Sequence, residues 1–162
     1  MGVMGSLNGL RRIILPQESK EAVFNQIVNC GCAAENHVPS FFGDLPHRLR
    51  CYLEGEAVDF SDKLDFSGST SLQQSVWHVT RTIPYGETRS YGWVSNQLDL
   101  PGAARAIGRA LSNNPLPIVV PCHRVITSDG SLGGFAFGLE FKEFLLRLEG
   151  CSWRRPARLK SG

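Results

Sequence analysis

Cys122 and His123 are neighbours in the chain, and Glu149 closes the last helical pattern downstream. A thiol is a strong nucleophile only as its thiolate. A histidine that takes its proton, itself held by a carboxylate, is one common way to make one. Cys122, His123 and Glu149 are chemically that set. Adjacency alone does not make a relay, because side chains at i and i+1 on a strand point to opposite faces. Proton exchange between Cys122 and His123 therefore needs a turn or an intervening water. Taken by itself, the dipeptide more often marks a buried cysteine beside a hydrogen-bonded histidine.

The elements around these residues can be read from periodicity. The apolar run Ile118-Val119-Val120 predicts a short buried strand that delivers Pro121-Cys122-His123-Arg124-Val125 at its end. A glycine-rich loop over 129–138 leads into a last helix, whose inward face reads as Phe141, Leu145 and Leu148, stopped by Glu149-Gly150. Upstream, Leu72, Val76, Val79 and Ile83 recur at helical spacing until Pro84-Tyr85-Gly86-Glu87 turns the chain. Ser90 caps a helix over 91–98, Pro101-Gly102 breaks it, and Ala103, Ala104, Ile107 and Leu111 form the apolar stripe of the next. That helix exposes Arg105 and Arg109. Two short helices at a tight break, the second with arginines at i and i+4, fit a helix-turn-helix; the plainer alternative is a solvated basic face on a helical hairpin.

The first part of the chain reads as scaffold. Apolar residues on either side of Asn8-Gly9 predict a hairpin turning at that dipeptide. Helices follow over 18–30 and 46–54. The run from Asp65 to Thr70 lacks periodicity and reads as a linker. The expected organisation is an N-terminal domain over 1–70, a C-terminal domain over 71–150 and a basic, mobile tail over 151–162.

The chain has 162 residues and a formal net charge of +2, unevenly spread. Residues 1–75 carry six basic and nine acidic side chains, residues 76–162 eleven and six, so a polyanion would meet the second half. No apolar run is long enough to span a bilayer, and the first residues lack the pattern of a secretion signal, so a cytoplasmic protein is expected. Five cysteines, an odd number without scaffold spacing, agree with a reducing compartment. Cys30-Gly31-Cys32 with His37, His47 and Cys51 invites a zinc reading, but C-x-C followed by scattered histidines is not structural-zinc spacing. No metal and no cofactor is expected. Cys151, just past the last helix, is expected to be inert or only adventitiously reactive.

A longer set of motifs adds to this. Ala103-Ala104-Arg105-Ala106-Ile107-Gly108, Asn114-Pro115, the run from Ile118 to Ile126, Lys142-Glu143-Phe144-Leu145-Leu146 and Glu149-Gly150 resemble, in order, the O6-alkylguanine-DNA alkyltransferases. The resemblance spans about residues 71–150. It implies a small α/β (α+β) N-terminal domain and a mostly helical, winged-helix-like C-terminal domain, whose helix-turn-helix enters the minor groove of double-stranded DNA as a monomer. It implies Cys122 as alkyl acceptor for O6-alkylguanine, and in the fuller expectation O4-alkylthymine. His123 would take the thiol proton through a water, with Glu149 orienting it, as in other triads. Tyr91 would protonate or hydrogen-bond the departing guanine, and Asn114 would be a hinge bracing the active-site segment. Arg105 would fill the gap left by the flipped base. Ala103, Ala104, Gly108, Arg109 and Arg124 are expected at the DNA, and Val125, Phe135, Ala136 and Phe137 are expected with Tyr91 in the substrate pocket.

Two departures stand out. Phe135 occupies a position where the family has tyrosine, which removes a hydroxyl, and Phe137 stands where the family has a small residue. If Phe137 faces the alkyl group, bulky adducts should react slowly. The chain also starts inside the family's first strand, so either its start lies upstream or that strand is short. A non-catalytic damage-binding relative is disfavoured by the presence of Cys122, where such proteins replace the cysteine. A cysteine hydrolase lacks an oxyanion-hole glycine motif beside the nucleophile and gives the basic helix no role.

Overall fold

The first strands carry the apolar residues on either side of the turn and pair as an antiparallel hairpin, β1 (Gly2–Ser6) with β2 (Gly9–Ile14). The register sets Ser6 opposite Gly9, so the turn falls on Leu7-Asn8, one residue earlier than Asn8-Gly9 predicts. Gly9 serves a different purpose. At φ 138° its backbone passes so close to the chain at Lys63 that a Cβ would lie 2.3 Å from the Lys63 carbonyl oxygen. Leu10 N–H donates to that oxygen at 2.8 Å, and Asp65 N–H donates to Leu10 O at 2.8 Å, laying residues 63–65 along β2.

This computed structural model describes residues 1–29 and 42–154. The chain falls into two units: Met1–Ser69 with Pro115–Val119, and Thr70–Asn114 with the chain from Val120 onward. In the first, Met4, Ile14 and Val23 pack together with Ile27 from helix α1 (Lys20–Asn29), and α2 (Leu45–Leu53) buries Leu45, Leu49 and Tyr52. Pro115–Val119 joins them, held by Ile13 N–H donating to Pro115 O at 2.9 Å. The units therefore interleave and are not two consecutive stretches of sequence.

The strand expected at Ile118-Val119-Val120 does not form. Pro115, Pro117 and Pro121 have no N–H to give a ladder. The run turns instead, with Ile118 at φ 76° and Leu116, Ile118, Val119 and Val120 buried. The two residues that do pair near the cysteine are β4 (Val125–Ile126), parallel to β3 (Arg89–Ser90).

In the second unit, Thr70 and Gln73 form a reciprocal capping box that starts α3 (Ser71–Arg81). Trp77 from α3 donates its indole N–H to Ala110 O at 3.0 Å. That carbonyl belongs to α5 (Ala104–Ser112), which buries Ile107, Ala110 and Leu111 and leaves Arg105 and Arg109 exposed. Helix α4 (Tyr91–Gln97) starts at Ser90, whose hydroxyl accepts from Trp93 N–H at 3.0 Å. The α4–α5 turn is stitched by Ser95, which donates to Leu100 O and accepts from Ala103 N–H at 3.2 Å. Helix α6 (Leu139–Leu148) buries Lys142, Leu145 and Leu146, while Phe141 and Leu148 are half-buried. Its inward face is thus rotated from the expected stripe, because Lys142 finds acceptors inside.

Past α6, Cys151 to Arg154 are docked, contrary to the expected mobile tail. Cys151 N–H donates to Leu146 O at 2.9 Å, Arg154 N–H to Gly130 O at 2.7 Å, and Trp153 packs on Ile126, Leu132 and Leu146. Residues 155–162 of that tail lie outside the described residues. The architecture is mixed α/β. Among the described residues no helix is long and apolar enough to cross a membrane.

Candidate active site

Cys122–Arg124 form one turn of 3-10 helix, closed by Arg124 N–H donating to Pro121 O at 2.9 Å, and the turn expected as one route past the strand's alternation is present. Cys122 is buried. Asn114, two residues past α5, donates its side-chain N–H groups to Val120 O at 2.9 Å and to Cys122 Sγ at 3.0 Å. Burial pushes the Cys122 thiol up from its ordinary value, and the Asn114 hydrogen bond and the Lys142 charge pull the other way.

His123 is fully enclosed, with Nε2 2.8 Å from Glu149 Oε1. Burial would raise the Glu149 carboxyl, but hydrogen bonds from His123 and Arg124 overcome it and hold the group at about 2. An ionised carboxylate only accepts, so Nε2 carries the proton and Nδ1 is the basic nitrogen. Burial in turn lowers His123, against the pull of Glu149, which favours the neutral ring.

Arg124 was expected at the DNA surface and is turned inward. Its Nε and Nη2 donate to the two Glu149 oxygens at 2.8 and 2.9 Å, and its Nη1 donates to Ile83 O at 2.6 Å. A guanidinium beside a buried carboxylate is drawn to it before any phosphate. Lys142 was missed altogether as a site neighbour. It is fully buried, donates to Val125 O at 2.7 Å and Leu132 O at 2.6 Å, and burial lowers it to about 8. Its place at i−3 from Leu145 on α6 was the available signal.

Above Cys122 opens a cavity of about 520 Å³. Tyr91, Ala104, Arg105 and Gly108 from α4 and α5 line it on one side, and Gly133, Gly134, Phe135 and Ala136 on the other. Tyr91 donates its hydroxyl to Gly134 O at 3.3 Å, and burial raises its phenol. Ala103 is half-buried at the start of α5. Two expected pocket residues are elsewhere. Val125 is fully buried in β4 and does not line the cavity, and Phe137 is 39% exposed, its ring edge-to-face against Phe135. The bend at Gly138, φ 91°, starts α6 directly after Phe137 and leaves its side chain outside.

Of the residues in the zinc reading, Cys30, Cys32 and His37 lie outside the described residues. Cys51 Sγ is 3.6 Å from His47 Nε2 on α2. Cys151 is buried, and burial raises its thiol to about 11.

Fold and site together define a nucleophile protein: a buried, hydrogen-bonded thiol under an open cavity, beside two helices with an arginine-bearing outer face. The profile of the 6-O-methylguanine DNA methyltransferase, DNA binding domain, matches residues 71–151. A methylated-DNA--protein-cysteine methyltransferase of Methanosarcina mazei is 42% identical over 146 residues, 90% of this chain and 87% of that one. Its namesake in Mycobacterium tuberculosis is 48% identical over 121 residues, 75% and 72% of the two chains. The crystal structure of Mycobacterium tuberculosis OGT in complex with DNA superposes with a TM-score of 0.73 at 40% identity, covering 91% of this chain and 84% of that one. The chain belongs to the 6-O-methylguanine DNA methyltransferase family.

Proposed function

We propose that the chain repairs alkylated DNA by moving the alkyl group of an O6-alkylguanine in double-stranded DNA onto Cys122, once per molecule. The observation that carries this reading is the Cys122 sulfur beneath the cavity, held by Asn114 and next to the His123–Glu149 pair. Family membership supplies the substrate class.

A group on O6 is inaccessible inside the duplex, so the guanine must be extruded at a cost of a few kcal/mol, least for a mispaired base. Arg105 fills the vacated stack, a role supported by its exposure on α5 at the cavity edge. The slender face of Ala103, Ala104 and Gly108 suits a groove only about 6 Å wide, with Arg109 toward phosphate. In the reaction, the Cys122 thiol gives its proton to His123 Nδ1 through a water. The sulfur then attacks the alkyl carbon in line, the S–C bond forms as the C–O6 bond breaks, and the electron pair goes to guanine O6. Tyr91 stabilises that developing charge by hydrogen bonding; the dealkylated guanine then takes up one proton and His123 gives one up, so the thiol proton is accounted for. The product is a thioether without a good leaving group, so the protein is consumed. The same displacement extends to O4-alkylthymine.

Incubation with duplex DNA carrying O6-methylguanine, followed by peptide mass spectrometry, should give one methyl on Cys122 and no second turnover. Cys122→Ser should give none while still binding duplex, because a hydroxyl is far less acidic than a thiol and a poor nucleophile at a soft carbon. A methyl on another residue, or catalytic turnover, overturns the reading.

A further inference from the structure

Glu149 is shared. Its Oε1 accepts from both His123 Nε2 and Arg124 Nη2, at 2.8 and 2.9 Å, and its Oε2 accepts from Arg124 Nε at 2.8 Å and Gly86 N–H at 3.4 Å. Arg124 is locked from the far side by the Ile83 carbonyl and lies 5.8 Å from the centre of the Tyr85 ring. Tyr85 in turn donates its hydroxyl to Leu148 O at 3.1 Å, at the end of α6. Both Glu149 oxygens and the Arg124 guanidinium are held by named partners, and none of these residues lines the cavity.

A histidine facing an otherwise unpaired buried carboxylate would be drawn to its protonated form, because the ion pair is the cheapest way to keep the charge buried. An imidazolium formed with a solvent proton cannot accept the thiol proton. We propose that Arg124 is a positioning residue for alkyl transfer: its fork neutralises Glu149, so that the carboxylate orients His123 while leaving the ring neutral and Nδ1 able to receive the Cys122 proton. This rests on the proposed transfer to Cys122. Arg124 acts through Glu149 and His123 and does not touch the substrate.

The other charged and titratable groups around the ring agree with this assignment. Lys142 on α6, like Arg124, opposes a positive charge on His123, and Cys122 on the same turn is pushed toward its neutral thiol by burial. Tyr85 and Cys151 flank Glu149, and burial raises both, so neither adds charge near neutral pH. Glu149 is the one anion facing the imidazole among the described residues, and Arg124 is its counter-ion.

The test is a titration of His123 by nitrogen-15 NMR in the unreacted protein, with the pH dependence of transfer from a free O6-alkylguanine base alongside. In the wild type the ring should stay neutral with its proton on Nε2 through neutral pH. Arg124→Met should raise the His123 midpoint by about one pH unit or more, moving the acid limb of the rate profile up by the same amount, roughly tenfold in proton concentration. Arg124→Lys keeps the charge and the fold but contacts only one carboxylate oxygen. It should shift the midpoint the same way by a smaller step and recover part of the rate, and it decides the matter if Arg124→Met does not fold. An unmoved or lowered midpoint in a folded variant overturns the inference. The NMR arm needs no alkyl transfer, so a failure of the proposed function and a failure of this inference are distinguishable.

Discussion

Gly133 is where the cavity tolerates least. Its φ is 67°, and a Cβ there would lie 2.9 Å from Tyr91 Cε2 and 3.0 Å from the Tyr91 hydroxyl. Gly134, one residue on, has nothing within 4 Å of the same position. Gly133→Ala should therefore displace the Tyr91 hydroxyl and slow methyl transfer by about tenfold or more, as ~1.4 kcal/mol of lost transition-state stabilisation implies. Gly134→Ala should stay near wild type, and single-turnover rates compare the two. Phe137 calls for the opposite expectation from the one its type raised. With its ring outside the cavity, Phe137→Gly should leave the ratio of benzyl to methyl rates within a few-fold of wild type. At this scale the motifs singled out Cys122 and Asn114, which the fold brings to 3.0 Å of each other. The sequence was opaque for Arg124 and Lys142, because long cationic side chains are read as solvated unless their buried acceptors are known. Those acceptors are a carboxylate 25 residues away and carbonyls 17 and 10 residues away.

Among the elements, helices with clean periodicity and caps were readable in advance. Thr70 illustrates why: its hydroxyl accepts from Gln73 N–H at 3.3 Å, and the Gln73 side chain accepts from Thr70 N–H at 2.9 Å. Thr70→Ala should cost about 1 kcal/mol in urea unfolding, with transfer rate preserved. The hairpin turn and the strand before Cys122 were misread for physical reasons. Local propensity placed Gly9 in the turn, whereas a contact 54 residues away at Lys63 claims it. Apolarity argued for a strand at Ile118–Val120, whereas three prolines decide against one. Helix α5 carries its own prediction. Arg105→Ala should slow repair of duplex much more than reaction with the free base, since the arginine acts on extrusion and not on displacement. Equal losses on both substrates would place Arg105 in the fold or the pocket.

For the whole molecule, pH and salt separate the two kinds of charge. The Glu149 carboxyl is held at about 2 in the fold against roughly 4.3 when unfolded. Its folded value is the depressed one, so its stabilisation is complete above the unfolded value and is lost as pH falls from about 4 through about 2. Unfolding midpoints followed down this range should fall less steeply in Glu149→Gln. Duplex affinity, set by exposed arginines such as Arg105 and Arg109, should drop steeply with salt through counterion release, whereas transfer to the free base should hardly change.

The excursion of Pro115–Val119 into the first unit bears on how the protein can be dissected. A fragment beginning at Thr70 would retain the thiol, its hydrogen-bond partners and the basic helix. It would also carry Leu116, Ile118 and Val119 away from the hairpin that holds Pro115. Three apolar side chains, with Ile118 in an unfavourable conformation, would then sit in water a few residues from the nucleophile. Such a fragment should aggregate or clear from solution faster than the full chain. Cutting the gene at the linker before Ser71 parts Pro115–Val119 from the unit in which it is packed.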